Sequence, residues 1–516
     1  MGITMREVTG KSMKLNRDLE KMLTEALQRD LLVRIGWGRG GDEKPKNGEI
    51  GVITHLPPKS RVLLLGDLGE CAGAMNRGGT LTLQGGCTSM AGAFQAEGRL
   101  IVEKDAGNRI GANMSGGTIN VNGSVGKEAG SSMKGGLILV RGHAGDRVGA
   151  GMHDGTIVVL GSVGSEPGVG MRGGRIIVAG SCPPPGDGST MRGIEPEEIL
   201  DISEYLEPLG LSINEDALVL FSDVNSPPIG EQPECSIIEG FEGIAVVPTT
   251  QDRLASHSPL DPYTLILPPG EDKKGLLFPI PWLIEGSGTE ISGPKSAAQP
   301  SLVSENPREI DLLLIDEDNL VGSADSLGGC AGIVLNLANL PVMNDAEIEG
   351  LLVSLSSKIQ NSALVMLRDR VDRVDHLFRL VVELDLDGAI IDASSPGGGR
   401  ASAALPRIGL AARAMDLINQ ERQLMIELDE PPSAEDCLIA RGAGCSIVVA
   451  PAPDENLEEY CTWLDSTIRG WMRELGIDGI EEINRKNLRA MDYDTAAITG
   501  LRLIGFDRPL PIWLGN

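Results

Sequence analysis

Residues 60–182 repeat one pattern of small and apolar residues every 19 positions. One glycine series shows the interval directly: Gly79, Gly98, Gly117, Gly136, Gly155 and Gly174. Four methionines stand three residues before the last four of these glycines: Met114, Met133, Met152 and Met171. Glycine adopts positive φ without steric penalty, so a glycine at each corner lets every unit turn in the same way. Identical turns stack, and the pattern predicts a right-handed β-helix or solenoid of six turns, with a seventh beginning near Ser60.

The pattern changes in the second half of the chain. From Asp311 onward, short apolar runs alternate with amphipathic helical segments. The runs are 312–315, 333–335, 363–367, 389–391, 424–428 and 445–449. Continuous aliphatic strands separated by helices predict a parallel sheet covered on both faces, and six or more such units favour a degenerate TIM-like β/α barrel.

These shifts in pattern predict a mixed multidomain protein with five segments. They are an N-terminal helix and lead-in (1–58), the β-helix (59–185), a proline-rich connecting region (186–307), the α/β barrel-like domain (308–490) and a C-terminal tail (491–516). The connecting region is predicted to be irregular because prolines interrupt it repeatedly.

Charge and composition narrow the classes of function. The 73 acidic and 45 basic residues give a formal net charge of −28. Such a field repels phosphate backbones and anionic lipid headgroups, so partners made of nucleic acid or membrane are not expected. No apolar run approaches the length of a membrane span and the N-terminus lacks an apolar leader segment, which predicts a soluble, cytoplasmic protein.

Metal chemistry finds little support in the sequence. The eight cysteines are scattered, none forms a C-x-x-C pair, and the five histidines show no ligand spacing. Cys437 and Cys445 are the closest cysteine pair, and reduced buried thiols are the favoured interpretation. No zinc or iron–sulfur cluster is therefore expected. The repeated methionines could form a soft metal or flavin-ring site, although a polarizable core filler is the commoner role.

Two loops in the predicted barrel carry candidate chemistry. After the strand ending at Ile391, the chain reads Asp392-Ala-Ser-Ser-Pro-Gly397-Gly398-Gly399-Arg400. Exposed amides and one cation before a helix can hold a phosphate, and a plain turn between strand and helix is the alternative. In the loop after the 424–428 run, Asp429 and Glu430 could act as a general acid/base pair or cap the next helix.

The repeat resembles a known domain. Its pattern G-x-x-x-G-x-x-M-x-G-G-x-I-x-V-x-G is similar to the GXGXG β-helix domain that the glutamate synthase large subunit shares with one of the subunits of formylmethanofuran dehydrogenase. The segment Asn16–Leu23 resembles the helix that precedes this domain in glutamate synthase. The resemblance covers about residues 12–185 and implies a structural domain, because both families use it as a supporting wall or subunit.

A second resemblance covers about residues 385–490. The segments 387–399, 405–410 and 437–449, with the tail 473–488, are similar to the last third of the glutamate synthase FMN barrel. This implies an FMN-type barrel with Gly397, Gly398, Gly399 and Arg400 as the phosphate loop. The chain departs from the family in several respects. Glu430-Pro-Pro432 stands where the family has a second glycine-rich loop. Clustered cysteines and an amidotransferase domain are not found in the sequence, and the order of the two domains is inverted.

Three functional hypotheses follow. The chain resembles a subunit of a glutamate synthase-like oxidoreductase complex in nitrogen or amino-acid metabolism, one that is not self-sufficient as an enzyme and whose barrel retains FMN. Alternatively it is a non-catalytic scaffold subunit of a redox complex such as a formylmethanofuran dehydrogenase-like assembly. Other subunits, or further copies of this chain, are the expected partners. A third hypothesis is a free-standing module that binds a small cationic or neutral metabolite, attracted by the negative charge.

Overall fold

A computed structural model describes residues 5–38, 44–45, 48–223, 241, 243–247, 264–266, 275–286, 297–393, 401–417, 419–454, 456–477 and 479–505. The chain divides into two compact units. The first comprises residues 1–231, 320–324 and 342–358, and the second comprises residues 232–319, 325–341 and 359–516. Among the described helices, none combines the length and apolar character that a bilayer span requires.

Unit one begins with helix α1 (Met5–Gln28) and continues as a series of short strands. They are β1 (Val33–Ile35), β2 (Arg61–Leu65), β3 (Arg77–Gln84), β4 (Glu97–Val102), β5 (Thr118–Val121), β6 (Lys134–Val140), β7 (Asp154–Val159) and β8 (Arg175–Val178). From β2 to β8 each strand pairs in parallel with the next, and the paired residues lie 19 positions apart, as in Ile119↔Ile138 and Ile138↔Ile157, except at a register shift at the start of β3 and of β6. We call the stacked strands β2 to β8 (residues 61–178), with the corners between them, the rung stack. The 19-residue register predicted from the sequence is present in it, including the turn near Ser60.

Two kinds of ladder hold successive rungs together. The inward-facing residues of the strands, such as Ile119, Ile138, Ile157 and Ile176, are fully buried in one apolar core that also contains the four repeated methionines. The glycine corners are required by this packing. Gly130 has φ +69°, and a Cβ there would lie 2.4 Å from Cδ1 of Ile157. Burial of the methionines favours their role as core fillers.

A polar ladder runs along the exposed side of the same stack. At equivalent positions a side chain accepts a hydrogen bond from the backbone N–H of the residue 19 positions later. One column contains the pairs Asp67 with Gly86 (2.9 Å), Asp105 with Ser124 (2.7 Å) and Ser124 with His143 (3.1 Å). A second column, three residues further along the repeat, contains Asp146 with Ser165 (3.0 Å). Short polar side chains thus satisfy amides at the corners, where the regular strand ladder ends.

Ordered structure extends beyond the predicted limits of the repeat. At one end, β1 adds to β2 in parallel, so the stack begins upstream of residue 59. At the other end, β9 (Ser189–Gly193) and β10 (Leu218–Ser222) continue the sheet in antiparallel orientation, and helix α2 (Pro196–Leu206) packs on them. The proline-rich region predicted to be irregular from residue 186 therefore starts with a strand, a helix and a second strand.

One helix from the later part of the chain belongs to unit one. Helix α3 (Asp345–Ser356) starts at Asn344, whose side chain accepts a hydrogen bond from the amide of Glu347. The carboxylate of Glu347 forms a 2.9 Å ion pair with Arg109, and its backbone carbonyl accepts a hydrogen bond from the thiol of Cys71. Contacts with the rung stack therefore place this helix in the first unit.

Unit two contains a closed barrel of eight parallel strands. They are β14 (Trp282–Glu285), β15 (Ser301–Val303), β16 (Leu312–Ile315), β17 (Gly332–Asn336), β18 (Leu364–Arg370), β19 (Gly388–Asp392), β20 (Gln423–Glu427) and β21 (Ile447–Pro451). Small antiparallel pairs accompany it: β11 (Ile244–Val246) with β22 (Leu488–Ala490), and β12 (Thr264–Ile266) with β13 (Leu276–Phe278). Its helices are α4 (Val374–Glu383), α5 (Ala404–Ala414), α6 (Ala434–Ala443), α7 (Leu457–Leu475) and α8 (Tyr493–Thr499).

The six predicted apolar runs coincide with β16 to β21, which confirms a TIM-like barrel. Two strands of the barrel, β14 and β15, lie upstream of residue 308, where the predicted barrel-like domain starts. Both strands are short and have prolines next to them, at Pro281 and Pro300, so their sequence is typical of irregular structure. The closing pairs are nevertheless parallel, with β14 between β15 and β21.

Candidate functional site

The interior of the barrel is apolar through most of its depth. Alternate residues of each strand face inward, as expected for the period of two in a β-strand. The inward-facing side chains form one buried cluster that includes Leu283, Val334, Met366, Ile390 and Met425. Leu276 and Phe278 of β13 belong to the same cluster. The interior is therefore a packed apolar core, and a ligand-binding site has to lie at an end of the barrel.

The next inward-facing layer, at the carboxyl ends of the strands, is polar. We call it the mouth layer, and its members each stand two residues after one of those apolar side chains: Glu285, Asn336, Arg368, Asp392 and Glu427. This end of a β/α barrel is where the loops after the strands converge and where such barrels carry their chemistry. The layer contains one cation and three carboxylates.

Arg368 is the hub of the mouth layer. Its Nε donates to Oε2 of Glu427 at 2.6 Å, and its Nη2 donates to the other oxygen of the same carboxylate. Nη1 donates to Oδ1 of Asn336 at 2.9 Å, and Oδ2 of Asp392 lies 3.6 Å from Nη2. The two hydrogen bonds to Glu427 make this a bidentate ion pair. The pair is buried, because the side chains of Arg368 and Glu427 are only 11% and 10% exposed.

Burial and crowding perturb the acids of this layer. Burial raises the pKa of Glu427 to about 7, with Glu285 and Asp392 adding to the rise and Arg368 opposing it. Burial likewise raises the pKa of Glu285, assisted by the charges of Asp392 and Asp429. Although burial alone would lower the pKa of Arg368, its hydrogen bonds and charge contacts with the carboxylates raise it above its usual range. A cation is thus fixed beside Glu427, a carboxylate that can exchange a proton near neutral pH.

Arg370 extends the same face by one layer. It is the last residue of β18 and, by strand alternation, shares its side of the sheet with Arg368. No hydrogen bond or ion pair engages its guanidinium in the described part of the chain. The mouth therefore presents buried carboxylates together with one further cation.

The loop residues predicted from the sequence are not part of this layer. Gly397, Gly398, Gly399 and Arg400 lie outside the described residues, and Asp392 is the mouth-layer residue that precedes them. Asp429 and Glu430 are exposed and do not cap helix α6. Ser433 is the cap of that helix, and its hydroxyl accepts from the amide of Asp436.

The cysteines show no metal-binding arrangement within the described residues. Cys437 and Cys445 are buried free thiols, and burial raises the pKa of both, that of Cys445 to about 12. Thiols held in the neutral form are poor metal ligands. This favours the prediction of reduced, buried cysteines for this pair.

The described residues of the mouth do not fit a flavin phosphate. Arg368 already uses Nε and both terminal nitrogens on Glu427 and Asn336. The loop after β20 offers the carboxylates of Asp429 and Glu430, followed by two prolines that lack an N–H donor. A phosphate would meet like charges there.

Sequence reasoning from runs and loops missed the mouth layer. One signal was present, since Glu427 interrupts the apolar run Leu424-Met-Ile-Glu-Leu428 and Arg368 follows directly on Leu367. A charged residue in phase with the inward face of a buried strand is rare unless it is paired. The partners come from strands far apart in sequence, so the pairing itself could not be predicted.

The chain was compared with protein families, curated proteins and solved structures. No protein-family model matches the chain, and no curated protein matches it. Among solved structures, the chain is similar to a doubly substituted variant of flavocytochrome b2 with sulfite bound, with a TM-score of 0.34 and 12% identity. The match covers 52% of this chain and 80% of that one.

Proposed function

We propose that the mouth layer binds a small molecule that carries an amino group. The observation that carries the proposal is the convergence of three carboxylates on one guanidinium at the carboxyl ends of the barrel strands. With one cation against three acids, a buried layer of this composition favours a further positive charge. An ammonium group supplies that charge and three hydrogen-bond donors.

Within the layer, the residues have different roles. Arg368 is fully engaged by Glu427 and Asn336, so it positions Glu427 and does not meet the ligand itself. Glu285 has no hydrogen bond or ion pair of its own in the described chain, although Arg368 and Asp392 act on it electrostatically. We assign Glu285 as the carboxylate that receives the ammonium group. Glu427, with a pKa near 7, can accept or release a proton beside it.

Arg370 separates two classes of amino compound. If its guanidinium meets the ligand, a zwitterion with a carboxylate, such as an amino acid, binds more tightly than a simple diamine. If it does not, the two bind alike. L-ornithine and putrescine are suitable probes, because they share a diamine skeleton and differ in the carboxylate. Succinate is the control that carries acid groups and no amine.

The test is calorimetric titration of the full chain with these three compounds at pH 6 and pH 8. We expect the amino compounds to bind and succinate to fail. Binding should tighten at pH 8, because Glu427, whose pKa is about 7, is more fully ionised there and adds its negative charge beside the ammonium site at Glu285. Glu285→Gln should weaken binding at least tenfold, whereas Glu383→Gln, which removes an exposed carboxylate paired with Arg379, should not change it. Succinate binding as tightly as the amines, or Glu285→Gln binding like the parent chain, would refute the proposal.

A second candidate function follows from the resemblance to glutamate synthase. A stack in 19-residue register and a closed eight-stranded barrel occur in one chain, as the resemblance implies for its two parts. This supports a glutamate synthase-related subunit of an oxidoreductase complex, with the stack as a right-handed β-helix of the GXGXG kind. A scaffold role in such a complex is the non-catalytic version.

Protein isolated anaerobically separates these versions. Flavin absorbance would favour an FMN-type barrel, with the loop at Gly397–Arg400 as its phosphate site. A colourless protein that co-purifies with a redox partner in native extracts would favour the scaffold. A colourless protein without a partner, and without reconstitution by added FMN, would leave the amino-compound site as the surviving function.

A further inference from the structure

A cavity lies in unit two, away from the mouth layer. It has a volume of about 830 Å³ and is lined by the ends of helices α5 and α6, the start of β20 and the segment 481–501. The two sites lie at opposite ends of strand β20. Gln423 and Leu424 at its start line the cavity, whereas Glu427 at its end belongs to the mouth layer. A cavity of this size fits a small organic molecule.

The charge of this cavity contrasts with the rest of the chain. Its lining includes four arginines and two glutamates, Arg413, Arg422, Arg441, Arg485, Glu421 and Glu481, which gives 4 − 2 = +2. The whole chain carries −28. A local excess of positive charge within a strongly acidic protein creates a site that attracts anions from solution.

Most of these arginines lack a carboxylate partner among the described residues. Arg422 pairs with Asp385 at 2.5 Å. Arg485 donates to the backbone carbonyl of Gly500 at 2.8 Å, and Arg413 donates to that of Gly409 at 3.0 Å. Neither carbonyl carries a net charge, so these two cations remain available to an anion.

Arg441 is the strongest indication of a ligand. Its side chain is partly buried, and no hydrogen bond or ion pair engages it within the part of the chain that the structure describes. Burial lowers its pKa, while the charge of Glu481 opposes that effect. Guanidinium carries five donors in a fixed fork that matches the oxygens of carboxylate and phosphate. A partly buried cation without direct partners, facing a cavity, is costly unless an anion occupies the site.

The remaining lining is apolar. It includes Leu405, Leu424, Ile483, Leu488 and Leu501. Ligand sites typically combine such walls with a few polar groups that fix the orientation. The ligand should therefore have an apolar body and one oxyanion head.

We propose that this cavity is a binding site for a small molecule with a phosphate or carboxylate head and an apolar body, with Arg441 as the anchor of the head group and Arg413 and Arg485 beside it. The site is separate from the amino-compound site and does not depend on it. The alternative explanation of Arg441 is that it stabilises the carboxyl end of α6 as a basic residue in the last turn.

The test uses three probes with one apolar body: phenyl phosphate, benzoate and benzyl alcohol. Each is titrated calorimetrically into the full chain at constant ionic strength set with sodium chloride. We expect one or both anions to bind and benzyl alcohol to bind at least tenfold more weakly. Preference for phenyl phosphate identifies a phosphate ligand, and preference for benzoate identifies a carboxylate ligand. Equal binding of all three, or no binding of either anion, would overturn the proposal.

A matched variant separates ligand binding from helix stabilisation. Arg473 stands in the last turn of α7 as Arg441 does in α6, but it is exposed and does not line the cavity. Arg441→Gln should weaken anion binding at least tenfold, and Arg473→Gln should leave it unchanged. If both variants bind like the parent, or both weaken it equally, the anchor role is wrong. Should Arg441→Gln fail to fold, the exposed Arg413→Gln decides, with an expected loss of severalfold.

Discussion

Acidic side chains have opposite environments in the rung stack and in the mouth layer. In the stack, Asp67 accepts a hydrogen bond from the amide of Gly86, and this bond lowers the pKa of Asp67. In the barrel, burial raises the pKa of Glu427 to about 7 even though Arg368 is bound to it. The first acid completes the backbone at a corner and stays in water. Glu427 is buried in a layer that contains three carboxylates and one guanidinium.

Acids that stabilise the fold differ in environment from acids that are held at a cost in stability. An acid that accepts a backbone N–H in solvent stabilises its own ionised form and adds to stability. A buried group of acids around one guanidinium destabilises its own ionised forms, and such costs are typical of functional sites. The mouth layer is therefore held at a cost in stability.

The largest effect should come from removing the hub of the mouth layer. Arg368→Met leaves Glu427, Glu285 and Asp392 without their cation, and breaking a buried ion pair costs about 3–5 kcal/mol. The loss should be smaller at pH 5 than at pH 8, because the carboxylates can then take up protons. Urea unfolding of the variant and the parent at both pH values measures this.

Arg379→Met is the matched control for that variant. Arg379 pairs with Glu383 in an exposed contact, so its loss should cost less than about 0.5 kcal/mol. If Arg368→Met were as stable as the control at pH 8, the mouth layer would not be an electrostatic unit. An equal loss at both pH values would instead point to lost packing around the arginine stem.

The same contrast explains how much could be predicted from sequence. In the stack, packing partners such as Ile138 and Ile157 lie 19 residues apart, so the repeat itself gives the register and the buried residues. The strands β16 to β21 could be predicted because each is a continuous apolar run. The short strands β14 and β15 could not, because they lie among prolines and pair only once the barrel closes.

The candidate site was less predictable than the fold. Arg368 and Glu427 lie on β18 and β20 with a complete strand between them, and only the closed barrel brings them into contact. Asn336 and Glu285 look like ordinary polar residues at the ends of strands. The composition of the loops instead indicates a site at Gly397–Arg400, because a glycine-rich loop is a phosphate-binding signal that can be recognised in a sequence.

A smaller effect should appear in the pH dependence of Glu427. Its native pKa is about 7, and an unfolded glutamate titrates near 4.5. Between these values the native state binds more protons than the unfolded state, so this group's contribution to stability falls as pH rises from about 4.5 to 7 and is constant above. Glu427→Gln removes that dependence. The free energy of unfolding of the parent minus that of the variant should therefore fall by on the order of 1–3 kcal/mol across this range. A flat difference curve would show that Arg368 keeps Glu427 ionised throughout.

The smallest effect, and the sharpest contrast, belongs to Asp67 in the stack. The Gly86 amide, with help from Lys104, lowers the pKa of Asp67, so its contribution is present above the pKa of an unfolded aspartate and is lost as pH falls through the native value. Parent minus Asp67→Asn should therefore decline toward acid below about pH 4, the opposite direction to the Glu427 curve. Asp67 is largely exposed, and solvent screening limits the effect to no more than about 0.5 kcal/mol. Urea unfolding of both variants and the parent over one pH series gives the two difference curves. The decisive observation is the sign of each curve's slope with pH. Curves with the same sign would mean that the two regions hold their acids by the same forces, and the distinction between structural and functional carboxylates in this chain would fail.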